Sequence, residues 1–193
     1  MQTRRRASSE VRARILEATL DELGAAGEGI TLQTVARRAD VAVRTLYNHF
    51  AGRDELLTAA FVHHTEQTRA DVEAVSVPDA DPEVQLRHVV QAFHQRYARM
   101  GPRLGVLLSL RGFPELDDQI RTIRGWRTRM LGQIVERAEQ AGVLRLAPGT
   151  AVALAFTLTS HAGWQTLCDE LGGDSAAATR VATESLCSAL FHH

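Results

Sequence analysis

The sequence predicts an all-α protein of about nine helices. Only five prolines occur in 193 residues, and 45% of the residues are hydrophobic, so long stretches are free to be helical. Glycine and proline interrupt the chain at intervals of roughly 15 to 25 residues, the spacing of short loops between helices of a bundle. No segment has the pattern of a β-strand.

The first three predicted helices are short and closely spaced. The first covers residues 9–24, with Ser8 or Ser9 as its N-cap. Thr31 has the chemistry of an N-cap for a second helix over residues 32–39, whose apolar residues recur at intervals of three and four. Residues 40–42 leave room for nothing but a tight turn before a third helix, at residues 43–50.

The remainder of the chain predicts six longer helices. Gly142 and Gly172 act as stop signals, while Pro148 and Asp174 mark starts. An acidic, proline-bearing linker is expected at residues 76–82. The six helices are predicted at residues 53–74, 83–100, 104–111, 115–141, 149–171 and 175–191.

Charge is distributed unevenly along the chain. Residues 1–53 carry nine arginines against six acidic residues, whereas residues 54–193 carry thirteen against seventeen. The N-terminal part is therefore basic, as a phosphate-binding surface would be, although a solvated helix gives the same balance. Arg4, Arg5 and Arg6 form either an arm that reaches along DNA or a disordered tail.

The sequence predicts a cytoplasmic protein without a membrane span. Its longest apolar run, residues 151–158, is about half of the roughly 20 residues that a span requires. The basic N-terminus is followed by charged residues where a signal peptide has its apolar core. Cys168 and Cys187 lack metal-ligand spacing and are expected to be buried, reduced thiols.

Residues 31–57, TLQTVARRADVAVRTLYNHFAGRDELL, contain the functional motif. Two short helices joined by a tight turn, the second with polar side chains facing out, are typical of a helix-turn-helix, whose second helix enters the DNA major groove. The run closely resembles the DNA-binding signature of the TetR family of bacterial regulators. The resemblance covers about residues 10–57 and involves some ten positions at once. It implies a three-helix DNA-binding domain at residues 1–53.

The resemblance also implies which side chains contact DNA. Thr45, Tyr47 and His49 occupy positions of phosphate contacts. Arg44 and Asn48 are candidates for reading bases, although Arg44 could equally bind a phosphate. Two further residues complete the implied set: the helix cap, Thr31, and the basic residue that opens the next helix, Arg53. The full DNA-binding set is Thr31, Arg44, Thr45, Tyr47, Asn48, His49 and Arg53.

Two positions depart from the family pattern. Asp40 stands where glycine is usual in the turn, and Ala42 stands where Ser or Thr commonly caps the recognition helix. Asp tolerates the left-handed conformation better than most residues, so the turn should form. The missing cap should cost roughly 1 kcal/mol locally.

Residues 54–193 show no catalytic motif, so we expect neither an enzyme nor a cofactor. The resemblance implies a C-terminal helical bundle for ligand binding and dimerisation. Its last two helices, which contain residues 151–171 and 176–191, would form the interface of a homodimer. Their small residues would let helices approach closely: Ala151, Ala155, Ala162, Ala178, Ala182 and Ala189.

The expected ligand pocket combines large apolar side chains with a few polar ones, which favours an apolar or aromatic small molecule. Each candidate could also be ordinary core: Phe61, His64, Phe93, Leu107, Trp126, Met130, Phe156, Ser160 and Trp164. His88 and His94 are further candidates for polar anchors. The spacing of the histidines predicts no metal site.

The sequence therefore predicts a ligand-responsive transcriptional repressor that binds a near-palindromic DNA operator as a homodimer. One alternative is an enzyme that uses Glu115, Asp117 and Asp118, but carboxylates are already favoured at a helix start. The other is a helical ligand-binding or scaffold protein whose DNA-binding head is non-functional.

Overall fold

The computed structural model describes residues 2–75, 80–110 and 114–192. Within these ranges the chain forms ten α-helices and one short 3-10 helix, with no strand beyond an isolated bridge between Leu144 and Phe191. The predicted all-α class is confirmed. Most of the predicted linker, residues 76–79, lies outside the described residues.

The helices are numbered in chain order. The 3-10 helix, Gly27–Gly29, follows the first of them. The α-helices are α1 Gln2–Ala26, α2 Leu32–Arg38, α3 Val43–Tyr47, α4 Arg53–Val75, α5 Pro82–Met100, α6 Pro102–Ser109, α7 Pro114–Gln140, α8 Pro148–Leu158, α9 His161–Glu170 and α10 Ser175–Leu190.

The chain divides into two compact units. Unit 1 comprises residues 1–67 and 100–121, and unit 2 comprises residues 68–99 and 122–193. In unit 1, α1 packs against α2 and α6, and α2 packs against α3. In unit 2, α10 packs against α8 and α9.

The start of α1 differs from the prediction. The helix begins at Gln2 rather than near residue 9, so the backbone of the Arg4–Arg6 segment is helical and is neither an extended arm nor a disordered tail. The side chains of Arg4 and Arg5 lie outside the described part of the chain. Ser9 sits inside the helix, where its hydroxyl donates to the Arg6 carbonyl at 2.9 Å and caps nothing.

A second difference is a break in the helix predicted at residues 149–171. The structure divides this segment into α8 and α9 at Thr159 and Ser160. The Ser160 hydroxyl accepts from the Gly163 amide at 3.0 Å and donates to the Thr157 carbonyl at 2.6 Å, so Ser160 is the N-cap of α9. A residue predicted as a pocket anchor therefore has its hydroxyl engaged in capping a helix.

Side chains of α5 satisfy the carbonyl groups at this break. The Leu158 oxygen lies 2.9 Å from His94 Nε2, and because a carbonyl can only accept, that nitrogen is the protonated one. The Tyr97 hydroxyl donates to the Thr159 oxygen at 2.9 Å. Thr159 is fully buried, and a buried carbonyl without a donor would be costly, so α5 and the break depend on each other.

The alanines predicted to face a partner chain are mostly buried within the protomer. Ala151 and Ala155 on α8, and Ala178 and Ala182 on α10, are inaccessible to solvent. They allow α10 to pack closely against α8 inside unit 2. Ala162 remains exposed. The alanine-rich face is therefore used mainly inside one chain.

The two cysteines are buried and free, as predicted. Burial raises the pKa of Cys168, and it raises that of Cys187 to about 11. In the described part of the chain, no helix combines the length and apolar character needed to cross a membrane.

A substitution at Gly163 tests the close packing at the break between α8 and α9. A Cβ at this position would lie 2.3 Å from the Thr157 carbonyl oxygen, which is backbone and cannot swing away. We expect Gly163→Ala to lower the free energy of unfolding by about 1–3 kcal/mol, measured by urea denaturation. Gly149→Ala, near the start of α8 with nothing within 4 Å, is the control and should be neutral or stabilising. Equal stability of the two variants would contradict this packing.

His94 should make stability depend on pH. Burial lowers the pKa of its imidazole from 6.5, so the native protein binds fewer protons there than the unfolded chain does. The free energy of unfolding should therefore fall as the pH drops below about 6.5. In thermal melts between about pH 7.5 and 5.5, we expect this loss to be smaller in His94→Gln than in the wild type. The exposed His88→Gln variant should match the wild type; an unchanged loss in His94→Gln would refute the assignment.

Candidate functional sites

The helix-turn-helix begins with a reciprocal cap at Thr31. Its hydroxyl accepts from the Thr34 amide at 3.2 Å, while the Thr34 hydroxyl accepts from the Thr31 amide at 3.2 Å. This capping box fixes the start of α2. The capping box confirms the predicted cap role of Thr31, which is exposed just before α2.

The turn between α2 and α3 accommodates its aspartate. Asp40 has a φ of 51°, in the left-handed region where glycine is usual. The Asp40 amide donates to the Arg37 carbonyl at 3.2 Å and the Val41 amide to the Ala36 carbonyl at 3.0 Å. This is the Schellman pattern of helix ends, so the turn forms as predicted despite the substitution.

Helix α3 is held by the residues beneath it. Ala42 has extended backbone angles and provides no side-chain cap, as predicted. Leu46 and Phe50 are buried, and the Arg12 guanidinium of α1 lies 5.2 Å from the centre of the Phe50 ring. Arg38 at the end of α2 pairs with the buried carboxylate of Glu22 on α1 at 2.6 Å. These contacts fix which face of α3 points outward.

The outward face carries the polar side chains predicted to contact DNA. Tyr47 is 53% exposed, and Arg44 and Asn48 are also exposed. Thr45 and His49 are half-buried. The five therefore offer a guanidinium, an amide, two hydroxyls and an imidazole within six residues, 44–49, in α3 and just after it. Such groups can donate to phosphates and to base edges.

Arg53 begins α4, as predicted, and is half-buried. Just before it, the Ala51 amide donates to the Glu55 carboxylate at 2.6 Å, which fixes the start of the helix. A basic side chain beside helix-terminal amides is suited to bind an anionic oxygen.

The predicted pocket residues fall in both units. Phe61, His64 and Leu107 are buried in unit 1. The other six lie in unit 2, where Phe93 and Trp164 are buried and the rest are half-buried: Trp126, Met130, Phe156 and Ser160. Trp126 and Met130 line a groove of about 700 Å³ on α7, whose other lining residues include Arg129 and Arg137.

Five rings of unit 2 lie with their centres within 6.2 Å of a neighbouring ring, Phe156 joins them through Arg127, and the six together form an aromatic cluster. Its members are Phe93, Tyr97, Trp126, Phe156, His161 and Trp164. The Phe93 ring lies 6.1 Å from that of Tyr97 and 6.2 Å from that of Trp126. The Tyr97 ring lies 5.4 Å from His161 and 5.9 Å from Trp164, by ring centres.

Arg127 of α7 lies within this cluster. Its guanidinium carbon is 3.9 Å from the centre of the Phe156 ring and 5.8 Å from that of Phe93. Its Nη1 donates to the Tyr97 hydroxyl at 3.3 Å and, at 3.4 Å, to the Thr159 carbonyl. Burial lowers the pKa of Arg127 and raises that of Tyr97 to about 12.

Sequence reasoning missed Tyr97, Arg127 and His161. A signal was present for Arg127, which lies four residues before Leu131 and eight before Val135. Both of those are buried, so Arg127 is a charge on the apolar stripe of α7. Among the described residues, no three His, Cys, Asp or Glu side chains are arranged to hold a metal ion.

Comparison with known proteins places the motif in a family. Residues 15–60 match the family model of bacterial regulatory proteins, tetR family. The chain is 34% identical over 94 residues to the HTH-type transcriptional repressor KstR of Mycolicibacterium smegmatis. That match spans 48% of this chain and 46% of the relative, or less than half of either protein.

Solved structures share the fold over nearly the whole chain. A TetR transcription regulator from Haloarcula marismortui superposes with a TM-score of 0.78 at 18% identity, covering 95% of this chain and 100% of that one. FadR from Bacillus subtilis, in complex with stearoyl-CoA, has a TM-score of 0.71 at 19% identity, covering 92% and 98%. At these identities the likeness concerns the fold.

Restoring a side-chain cap should stabilise α3. Ala42→Ser places a hydroxyl at the N-cap position, where the backbone is already extended. We expect the free energy of unfolding to rise by about 1 kcal/mol in urea denaturation followed by circular dichroism. The control is Ala25→Ser, an exposed site inside α1 where serine is slightly unfavourable. A gain no larger than that of the control would argue against Ala42 as the N-cap.

Proposed function

We propose that the chain, whose residues 15–60 match the family model of bacterial regulatory proteins, tetR family, is a DNA-binding transcriptional repressor of that family. One observation carries the proposal: a complete helix-turn-helix whose second helix has its apolar side buried and its polar side exposed. The KstR proteins matched over part of their length are transcriptional repressors by description.

In this proposal the DNA-contacting surface consists of the outward side of α3 and the residues at its borders. Tyr47 leads among the phosphate contacts, with Thr45 and His49 beside it. Arg44 and Asn48 read bases, because their side chains can pair bidentately with guanine and adenine. Thr31 and Arg53, at the starts of α2 and α4, bind phosphates of the DNA backbone.

The regular turn that forms around Asp40 supports a functional DNA-binding domain. A distorted turn would favour the alternative, a ligand-binding or scaffold protein that retains an inactive helix-turn-helix. Instead, Asp40 takes the left-handed conformation and both Schellman hydrogen bonds form. Its carboxylate should still make DNA binding sensitive to salt, since it lies close to the phosphates.

We further propose that the two parts of the chain have different functions. Residues 1–53 bind DNA, and residues 54–193 bind a small ligand and a second copy of the chain. Two heads related by a two-fold axis would bind half-sites of a near-palindromic operator, about one DNA turn or a multiple of it apart. Three exposed residues are available for contacts with the partner chain: Ala162 on α9, Leu171 just after α9 and Val181 on α10.

The ligand would act by changing the affinity of the protein for DNA. A coupling of about 1–3 kcal/mol between the two sites changes DNA affinity roughly 5- to 150-fold, which suffices for a switch. A predominantly apolar or aromatic small molecule fits the rings of unit 2. FadR from Bacillus subtilis, which shares the fold, was solved in complex with stearoyl-CoA, a molecule with a long apolar chain.

Selection of DNA from a random-sequence pool at about physiological salt tests the proposal. We expect the wild type to enrich a near-palindromic site. On that site, Arg44→Ala should weaken binding by about 1–3 kcal/mol, measured by fluorescence anisotropy. Tyr47→Ala should weaken it on every sequence, because a phosphate contact carries no sequence information.

Val84→Ala is the matched control, since Val84 is also an exposed apolar side chain but lies on α5 of unit 2. It should bind DNA as the wild type does. All variants should melt at similar temperatures, because the substituted side chains are exposed. Failure to enrich any site, even at low salt, would favour the scaffold alternative.

A further inference from the structure

Unpartnered polar atoms gather in the aromatic cluster of unit 2. Among residues 2–75, 80–110 and 114–192, three buried side-chain nitrogens have no hydrogen-bond partner: Arg127 Nε, His161 Nε2 and Trp164 Nε1. Arg127 contacts Tyr97, and the rings of His161 and Trp164 lie 5.8 Å apart beside it. Buried polar groups are ordinarily paired, so three such atoms near one tyrosine mark a place where an acceptor can bind.

The charge of Arg127 is also unbalanced. Its partners, the Tyr97 hydroxyl and the Thr159 carbonyl, are neutral and lie at 3.3 and 3.4 Å. No ion pair in the described part of the chain includes Arg127. The faces of Phe93 and Phe156 attract the cation but cannot accept a hydrogen bond from Nε in its plane. Arg127 is half-buried, and a cation that is largely withdrawn from water is normally paired with an anion.

We propose that the aromatic cluster binds a small organic carboxylate, with Arg127 as its charge partner and the rings of Phe93 and Phe156 against its apolar body. The inference rests on the proposed function in so far as this carboxylate is taken to be the effector.

The unpartnered atoms select for this class of ligand. Arg Nε–H and Trp Nε1–H can only donate, and a carboxylate can only accept. Burial lowers the pKa of His161, which keeps its ring neutral near pH 7 and able to donate from one nitrogen. The Arg127 guanidinium balances one negative charge, and a cationic ligand would be repelled by it and by the Arg124 guanidinium, which lies 5.5 Å from the centre of the Phe156 ring. The surrounding rings favour an apolar body over a hydrated one.

Both tryptophans of the chain belong to the cluster, so intrinsic fluorescence reports on it without a label. The probes are 4-phenylbutyrate and decanoate, each compared with its neutral amide. We expect the carboxylates to change the fluorescence with a Kd below about 1 mM and the amides to bind at least about tenfold more weakly. Arg127→Gln should weaken carboxylate binding by at least about tenfold.

Arg129→Gln is the matched control, because Arg129 is an exposed arginine two residues further along α7. It should bind the carboxylates as the wild type does. The proposal is overturned if neither carboxylate binds below about 1 mM, as expected when ordered water satisfies the three nitrogens. Equal binding of the amides, or equal losses in Arg127→Gln and Arg129→Gln, would overturn it too.

A thermal melt separates ligand binding from a structural role of Arg127. Without ligand, Arg127→Met should melt at the wild-type temperature or above, because a half-buried cation without an anionic partner adds little stability and Met keeps the packing. A Tm lower by more than about 4 °C would assign Arg127 to the framework and contradict the proposal. If Arg127→Gln fails to fold, Trp164→Phe removes one donor but keeps a ring, and its carboxylate affinity then decides.

These measurements need no DNA, so they are independent of operator selection. Carboxylate binding without DNA binding would refute the repressor and keep the site. DNA binding by a protein that ignores both carboxylates would keep the repressor and refute the site.

Discussion

The interruption between α8 and α9 is the constraint on which unit 2 depends. Ending a helix in the interior leaves carbonyl groups that water cannot reach, and these must find donors. His94 and Tyr97, one turn apart on α5, supply them to Leu158 and Thr159. Tyr97 also accepts a hydrogen bond from Arg127 and packs against His161 and Trp164. The side chains that satisfy the carbonyl groups at this break thereby bring together the rings and the charge of the candidate ligand site.

The helix-turn-helix could be predicted closely because its determinants are local. Thr31 caps α2 through a residue three positions away, and the amides of Asp40 and Val41 close the turn by donating to carbonyls three and five positions before them, respectively. Leu46 and Phe50 are four apart, so their common inward face follows from helical periodicity. Such interactions are visible in a window of ten residues, and the departures at Asp40 and Ala42 could be judged by the same rules.

The ligand site could not be predicted to the same extent because it depends on distant partners. Ser160 is a polar residue within an apolar pattern, and only the donors on α5, more than sixty residues away, explain why the helix breaks there. Pocket candidates chosen by size included Phe93, Phe156 and Trp164, which do lie in the aromatic cluster, but also Leu107, which lies in the other unit. Arg127 was passed over because arginines abound on α7, although its register on the apolar stripe distinguishes it.

The two buried cysteines have a practical consequence for studying this protein. The thiolate is the reactive form of cysteine, and a thiol with a pKa near 11, as at Cys187, is almost entirely protonated at neutral pH. Cys168 is likewise buried and has a raised pKa. A cysteine introduced at an exposed position of the recognition helix would therefore react with a maleimide dye long before either native thiol. The natural sequence can thus carry a site-specific spectroscopic label on its DNA-binding head without first being made cysteine-free.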